Sequence, residues 1–240
     1  FNRGMSEPKN YDQESISAIV DETNQGASTI KEEDRPNIVV ILLESFFAVS
    51  AANFIETSED PIPYVHYLEQ NFSTGHLTVP VVGAGTCNSE FEVLTGMSCR
   101  FFGPGEYPQK TILKKTDCES FAGDLRNLGY SSHVVHNNGG NFYSRANAFS
   151  MMGSSPTHDI LTPATTEAMD STEGPDFVYT ITVEAHGDYP TYKVIENPAI
   201  GVTCEGKTQE QTYAWEYYIN QIHNVDEFIQ SYIEELSKRD

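Results

Sequence analysis

The most constraining stretch of this chain is Ile38-Val39-Val40-Ile41-Leu42-Leu43, six apolar residues in a row that stop at Glu44. A continuous run rich in Ile and Val is the pattern of a strand buried on both faces. Such a strand needs covering layers above and below it. Pro36 opens it, and the sequence predicts a strand over 37–43. A second β-branched apolar run predicts another strand over 177–183. Shorter runs predict strands over 76–82 and 131–135.

Between the strands lie helical signals. A short helix is expected over 64–72. Another is expected over 86–94, after the small-residue turn Gly83-Ala84-Gly85. Residues 116–128 read as an amphipathic helix with Phe121, Leu125 and Leu128 on one face and Gly129 as its stop. Residues 157–169 are expected to be helical in part, with Pro163 limiting the run. Over 212–238, Trp215, Tyr218, Ile222, Val225, Ile229, Ile233 and Leu236 recur at spacings of three and four, which is one face of a long helix. Strands alternating with helices give an α/β protein, with a mostly parallel central sheet flanked by helices. Residues 1–34 are polar and acidic and read as a linker or arm with one helical turn around Ile16 to Val20. Residues 35–240 read as the folded domain.

The charge balance narrows the partners. Lys and Arg number 14 against 35 Asp and Glu, a net charge of −21. Nothing basic is present to neutralise phosphates in bulk, so a nucleic-acid binder is disfavoured. A polybasic membrane patch is disfavoured for the same reason. Hydrophobic residues at 38% and aromatics at 11% support a folded core rather than an acidic disordered tail. No segment approaches the ~18 consecutive apolar residues of a membrane-spanning helix. The opening Phe-Asn-Arg-Gly-Met carries no signal-peptide pattern, and a start at Phe1 reads as a soluble piece of a longer protein. Cys87, Cys99, Cys118 and Cys204 form no C-x-x-C motif, so a zinc ribbon or thioredoxin-type site is not expected. A Cys99–Cys118 bridge in an oxidising compartment and four buried thiols both remain open.

In open α/β sheets, ligands bind beyond the carboxyl ends of the strands. The expected strands run out into Glu44-Ser45, Gly83-Ala84-Gly85-Thr86, His136-Asn137-Asn138 and Glu184-Ala185-His186. Thr86 at a helix start reads plainly as an N-cap. It also reads as a nucleophile, because a helix N-terminus favours a phosphate. Glu44 is a candidate oxygen ligand for an activating metal. His136 and His186 read either as structural histidines or as substrate contacts. Arg145, one of few cations, reads as a phosphate clamp or a surface ion pair.

These segments together resemble the lipoteichoic acid synthase family of phosphoglycerol transferases, within the alkaline phosphatase and sulfatase superfamily. Residues 35–45 resemble its opening strand, and Gly85-Thr86-Cys87-Asn88-Ser89-Glu90-Phe91 its nucleophile segment. His136-Asn137-Asn138 with Phe142-Tyr143-Ser144-Arg145 is similar to its substrate-binding segment. Thr180-Ile181-Thr182-Val183-Glu184-Ala185-His186 is similar to a later strand ending in a substrate-contacting His. The resemblance implies an alkaline phosphatase-like fold that lacks its C-terminal part here. It implies Glu44 and Thr86 as metal ligands and Thr86 as nucleophile. It assigns substrate binding to Arg145, Tyr143, His136 and His186.

The resemblance further implies a divalent metal, typically Mn2+, with Zn2+ or Mg2+ in relatives. The implied donor is a phosphatidylglycerol-like phospholipid headgroup and the implied acceptor a polyol phosphate. The implied setting is the outer face of a membrane, in a Gram-positive bacterium, with the parent protein membrane-anchored. The family completes its metal site with an Asp-His pair, and this sequence contains no Asp-His dipeptide. Cys87 is not followed by the x-Pro-x-Arg that a sulfatase-type nucleophile takes. A phosphodiesterase or phosphatase of the same superfamily, or a non-catalytic binding or sensor domain, are the alternatives.

Overall fold

The computed structural model describes residues 9–23, 30–81, 85–103, 105–137, 145–152, 155–157 and 161–239. In chain order the principal elements are α1 (Gln13–Thr23), β1 (Ile38–Leu43), β2 (Ile55–Thr57), α2 (Pro63–Asn71), α3 (Thr86–Thr95) and α4 (Phe121–Asn127). Then come β3 (Ser131–His136), α5 (Arg145–Met151), β4 (Ser155–Thr157), α6 (Leu161–Asp170), β5 (Asp176–Thr182), β6 (Val202–Cys204) and α7 (Gln209–Leu236).

Four strands form one sheet in the order β1-β5-β3-β4, with every neighbouring pair parallel. β5 is its axis, and all seven of its residues are buried. Side chains alternate across a strand, so β5 feeds two layers. Phe177, Tyr179 and Ile181 pack with Phe91, Leu94, Leu125 and Phe149 from α3, α4 and α5. Val178 packs the other way, with Val135 and with Ala164 and Met169 of α6, and Phe228 and Leu236 of α7 lie against that group. Thr180 points there too, its hydroxyl 3.3 Å from Tyr232 Oη of α7. The strand buried on both faces is thus β5. β1, the uninterrupted apolar run, lies at the end of the strand order with all six residues only partly buried, Ile38, Val40 and Leu42 against the first layer and Val39 against the second.

α7 begins with a capping box: Gln211 N–H donates to Thr208 Oγ1 (3.3 Å) and Thr208 N–H to Gln211 Oε1 (3.0 Å). Its expected face is the buried one, through Tyr218, Ile222, Val225 and Ile229. A separate cluster joins Tyr218, Ile219 and Ile222 to Val49, Ile62 and Ile200. Two buried polar residues of α7 lock distant segments onto it. Asn220 accepts from Ile200 N–H (3.0 Å) and donates to Ile200 O (2.9 Å), pairing with that loop as a strand would. The Asp226 carboxylate accepts from Tyr64 N–H (3.0 Å) and Val65 N–H (2.8 Å). It therefore does for the first turn of α2 what the apolar N-cap Ile62 does not.

The structure departs from the sequence expectations at several points. Residues 76–81 are irregular rather than a strand, with Leu77 and Val79 exposed. The apolar residues there have no sheet neighbour to pair with. The helix expected over 116–128 starts only at Phe121, because Ser120 caps it by accepting from Gly123 N–H (3.1 Å). In the 157–169 region, residues 155–157 form β4 and the helix runs over Leu161–Asp170. The single turn around Ile16 extends to the eleven residues of α1. The antiparallel β2–β6 ribbon has no counterpart in the sequence expectations, since three-residue strands carry too little periodicity to read.

All four cysteines are free thiols. Burial, with a contribution from the Glu92 charge, pushes the Cys99 thiol up to about 11. Burial also raises that of Cys118.

This packing sets two expectations. Asp226→Ala should destabilise the fold by about 2–3 kcal/mol, because two N–H groups lose a charged acceptor. A fall in the urea midpoint checks this, and Asp226→Asn should lie between the two. Cys99 should carry about one thiolate in a thousand molecules at pH 8. Its alkylation by iodoacetamide should therefore be slow at pH 8 and accelerate up to pH about 11, as peptide mapping would report.

Candidate functional site

The parallel register brings three strand ends level. Leu43 lies opposite Thr182, and His136 opposite Ile181. The chain leaving β1 stays attached, as Glu44 N–H donates to Thr182 O (3.1 Å). The chain leaving β3 is tied across by Asn137, whose Oδ1 accepts from Val183 N–H (3.1 Å). Glu44 and His136 are both buried, at 4% and 3% exposure, on this one edge of the sheet. His186 lies just beyond β5 and is exposed. This is the edge where α/β proteins hold ligands.

Thr86 is the first helical residue of α3 and is half-buried. The cap is not Thr86 but Gly85, in the left-handed region at φ +87°. A Cβ at Gly85 would sit 3.2 Å from Tyr107 Cε1 and 3.3 Å from Val81 Cγ1, so both conformation and space call for glycine. The plain reading of Thr86 as an N-cap is thus corrected, and its hydroxyl is not the group that caps α3.

Helix α3 itself is firmly held. Cys87 and Phe91 are wholly buried, and the Cys87 carbonyl accepts from the buried Gln109 Nε2. Asn88 Nδ2 donates to Glu106 O (3.2 Å), and Phe91 meets Phe102 edge-on at 5.6 Å. The segment after α3 therefore wraps back over the helix start and fixes it.

Arg145 opens α5, but its side chain and the whole of Tyr143 lie outside the described residues. Among the described residues, no group of three or more His, Cys, Asp or Glu gathers to hold a metal ion. The described part of the implied metal set is therefore the oxygens of Glu44 and Thr86. The buried Glu44 carboxylate is of the right chemical type for a hard divalent cation. Two donors fall short of the three protein ligands a catalytic zinc-type site takes.

A feature that sequence reasoning missed lies one residue past Glu44. Ser45 has φ +56°, the one positive value among described residues other than glycine. Its carbonyl accepts from Tyr218 Oη at 2.7 Å. Burial raises the Tyr218 phenol well above its ordinary value. Phe47 stacks on the Tyr218 ring at 5.4 Å, and Trp215 and Tyr189 meet that ring edge-on at 5.9 Å and 5.4 Å. These residues line a cavity of about 340 Å3. In the sequence, Trp215 and Tyr218 are legible only as the packing face of the long helix.

Known proteins share this fold. A curated relative, the putative cyclic beta-1,2-glucan modification protein of Rhizobium meliloti (strain 1021), is 26% identical over 180 residues, covering 68% of this chain and 27% of the relative. The chain thus spans about a quarter of that relative's length. The Streptococcus pyogenes phosphoglycerol transferase GacH, solved with sn-glycerol-1-phosphate, superposes with a TM-score of 0.75 at 17% identity, over 98% of this chain and 67% of GacH. The lipoteichoic acid synthase LtaP from Listeria monocytogenes superposes with a TM-score of 0.63 at 16% identity, over 85% of this chain and 52% of LtaP. At such identities these likenesses establish the fold, which is alkaline phosphatase-like. The sulfatase family model matches residues 36–240, which takes in the parallel sheet, Glu44, Thr86 and α7. From its first strand to its last helix, this chain belongs to the sulfatase family.

Proposed function

We propose that the protein transfers a phosphoglycerol-type headgroup from a phospholipid to an acceptor hydroxyl, through a phosphothreonine at Thr86. The observation that carries this reading is the placement of Thr86. It is the first residue of a ten-residue helix whose start is fixed by Gly85 and by the wrapping segment around Gln109. A helix N-terminus favours the anionic phosphate of a diester, so a hydroxyl there meets its electrophile with charge already compensated.

In the first step Thr86 Oγ1 bonds to phosphorus and the diacylglycerol oxygen leaves with a proton. In the second, an acceptor hydroxyl displaces Thr86 and restores its hydroxyl, which is ping-pong chemistry. A divalent metal, Mn2+ by the family resemblance and otherwise Zn2+ or Mg2+, would take oxygens from Glu44 and Thr86 and supply positive charge to the phosphate. His136 and His186 line the headgroup side of the site in this reading. In this reading substrate binding also falls to Arg145, as a phosphate clamp, and to Tyr143.

Two of the structural neighbours are described as a phosphoglycerol transferase and a lipoteichoic acid synthase, which supports a phosphoglycerol-type headgroup. The setting that the family resemblance implies, and that we propose, is the outer face of a membrane, on a membrane-anchored parent. Among the described residues no helix is long and apolar enough to cross a membrane. Both a polyol phosphate and a glucan offer the acceptor hydroxyl this chemistry needs. The relative's description as a glucan modification protein favours the glucan. Hydrolysis, with water as acceptor, is the second reading, and it shares every step but the last.

With phosphatidylglycerol and Mn2+, intact-protein mass spectrometry should detect a phosphoglycerol adduct on Thr86. Thr86→Ala should keep its circular dichroism and lose the adduct, with transfer falling at least about 10⁴-fold. Transfer at the wild-type rate by Thr86→Ala would falsify the proposal. Glu44→Gln should weaken Mn2+ binding, measured calorimetrically, by at least about tenfold. Equal affinity would remove Glu44 from the ligand set.

A further inference from the structure

We infer that the aromatic cavity beside Ser45 is a sugar-binding subsite, which holds a ring of the acceptor carbohydrate next to the transferable group. The inference rests on the proposal of a carbohydrate acceptor.

Its first support is position. The cavity begins at Ser45, one peptide bond beyond the buried Glu44, at the edge where β1, β3 and β5 end. At about 340 Å3 it is at the lower end of the range for small-molecule sites. Its second support is the chemistry of the walls. Phe47, Tyr189, Trp215 and Tyr218 contribute rings whose orientations are fixed. Both phenol hydroxyls are already engaged, Tyr218 Oη on the Ser45 carbonyl (2.7 Å) and Tyr189 Oη on the Ala185 carbonyl (2.9 Å). The walls therefore present carbon surface and few hydrogen-bonding groups.

A ligand suited to such walls brings a C–H face to the rings and keeps its hydroxyls in water. The rim permits this, because Phe47 and Tyr189 are 37% and 39% exposed. A pyranose ring has that build, with axial C–H groups on a face and hydroxyls around its edge. Gln211 adds a polar contact: its Oε1 is held by the capping box, which leaves its NH2 to donate to a sugar oxygen. Two other ligand types fit less well. Among the described residues no carboxylate lines the cavity, so a quaternary ammonium would gain ring faces without a counter-charge. An alkyl chain gains in proportion to the apolar area removed from water, and an open rim removes little.

Trp215 is the single tryptophan of the chain, so its emission reports on this cavity directly. The full chain carrying Thr86→Ala, in which transfer is not required, is titrated with three probes. These are a β-1,2-linked glucose tetrasaccharide, choline chloride, and diheptanoyl phosphatidylglycerol below its micelle concentration. The expected result is a saturable emission change with the tetrasaccharide alone. Phe47→Ala and Tyr189→Ala, each checked for native circular dichroism, should weaken it by about tenfold.

No saturable change with the tetrasaccharide overturns the assignment. So does a response that both rim variants leave unaltered, or a stronger response to choline or to the lipid. The phosphothreonine adduct is measured separately and needs no sugar. An adduct without sugar binding refutes the subsite and leaves the transferase reading standing. Sugar binding without an adduct does the reverse.

Discussion

The structure depends on the parallel pairing of β1 and β3 with β5. β5 is buried along its whole length, and its alternating residues enter two separate apolar layers. A strand in that position cannot carry charge along its faces, so polar chemistry is displaced to its ends. The in-phase register then makes the three ends coincide, and Glu44, Thr182 and His136 fall on one edge. Asn137 and the Glu44 amide stitch the outgoing loops to β5 before they diverge. The candidate site is in this sense a by-product of the core: the same burial that holds the sheet together selects where polar groups are tolerated.

Much of this is legible from the residues. The run at 38–43 is continuous and apolar, and that at 177–182 is β-branched and aromatic, patterns that mark strands. The long helix is legible almost to its ends, because seven apolar positions at helical spacing reinforce one another. Glu44 stands out because it abuts the first of these runs, and Thr86 because it follows the small-residue turn Gly83-Ala84-Gly85 at a helix start. Legibility fails where the deciding contacts are distant in sequence. Nothing near residue 63 indicates that the first turn of α2 is served by Asp226, about 160 positions away. Nothing near residue 45 indicates that Tyr218 holds its carbonyl. The segment 76–81 has the apolar residues of a strand, but it pairs with none of the described strands. Residue preference alone makes Thr86 a cap, whereas the tight approach of Tyr107 and Val81 assigns the left-handed position to Gly85.

The acidity of the chain also takes on meaning beside the fold. With a net charge of −21, an anionic substrate is met by a repulsive field at long range. Local devices must offset this field where the phosphate binds. The N-terminus of α3 is one such device among the described residues, and a bound cation would be another. The aromatic cavity is neutral by construction, so a carbohydrate would enter it without meeting this repulsion. Phosphate and sugar would thus be received by regions with different physics, one electrostatic and one apolar.

The length of α7 has a consequence for how the molecule comes apart. Twenty-eight residues at the helical rise span about 42 Å. Near its start the helix contributes Tyr218, Ile219 and Ile222 to the cluster that holds Ile62 and Ile200. Near its end it lays Phe228 and Leu236 on the back of the sheet, and just past it Arg239 grips Asp170 through two hydrogen bonds of 2.9 and 3.0 Å. Neither cluster can lose this helix without the other losing it too. The cavity region and the rear of the sheet are therefore expected to behave as one cooperative unit in amide exchange, despite sharing little sequence. Opening the aromatic wall far enough to detach Tyr218 would mean loosening the sheet from behind, so ligand entry is confined to movements of the rim.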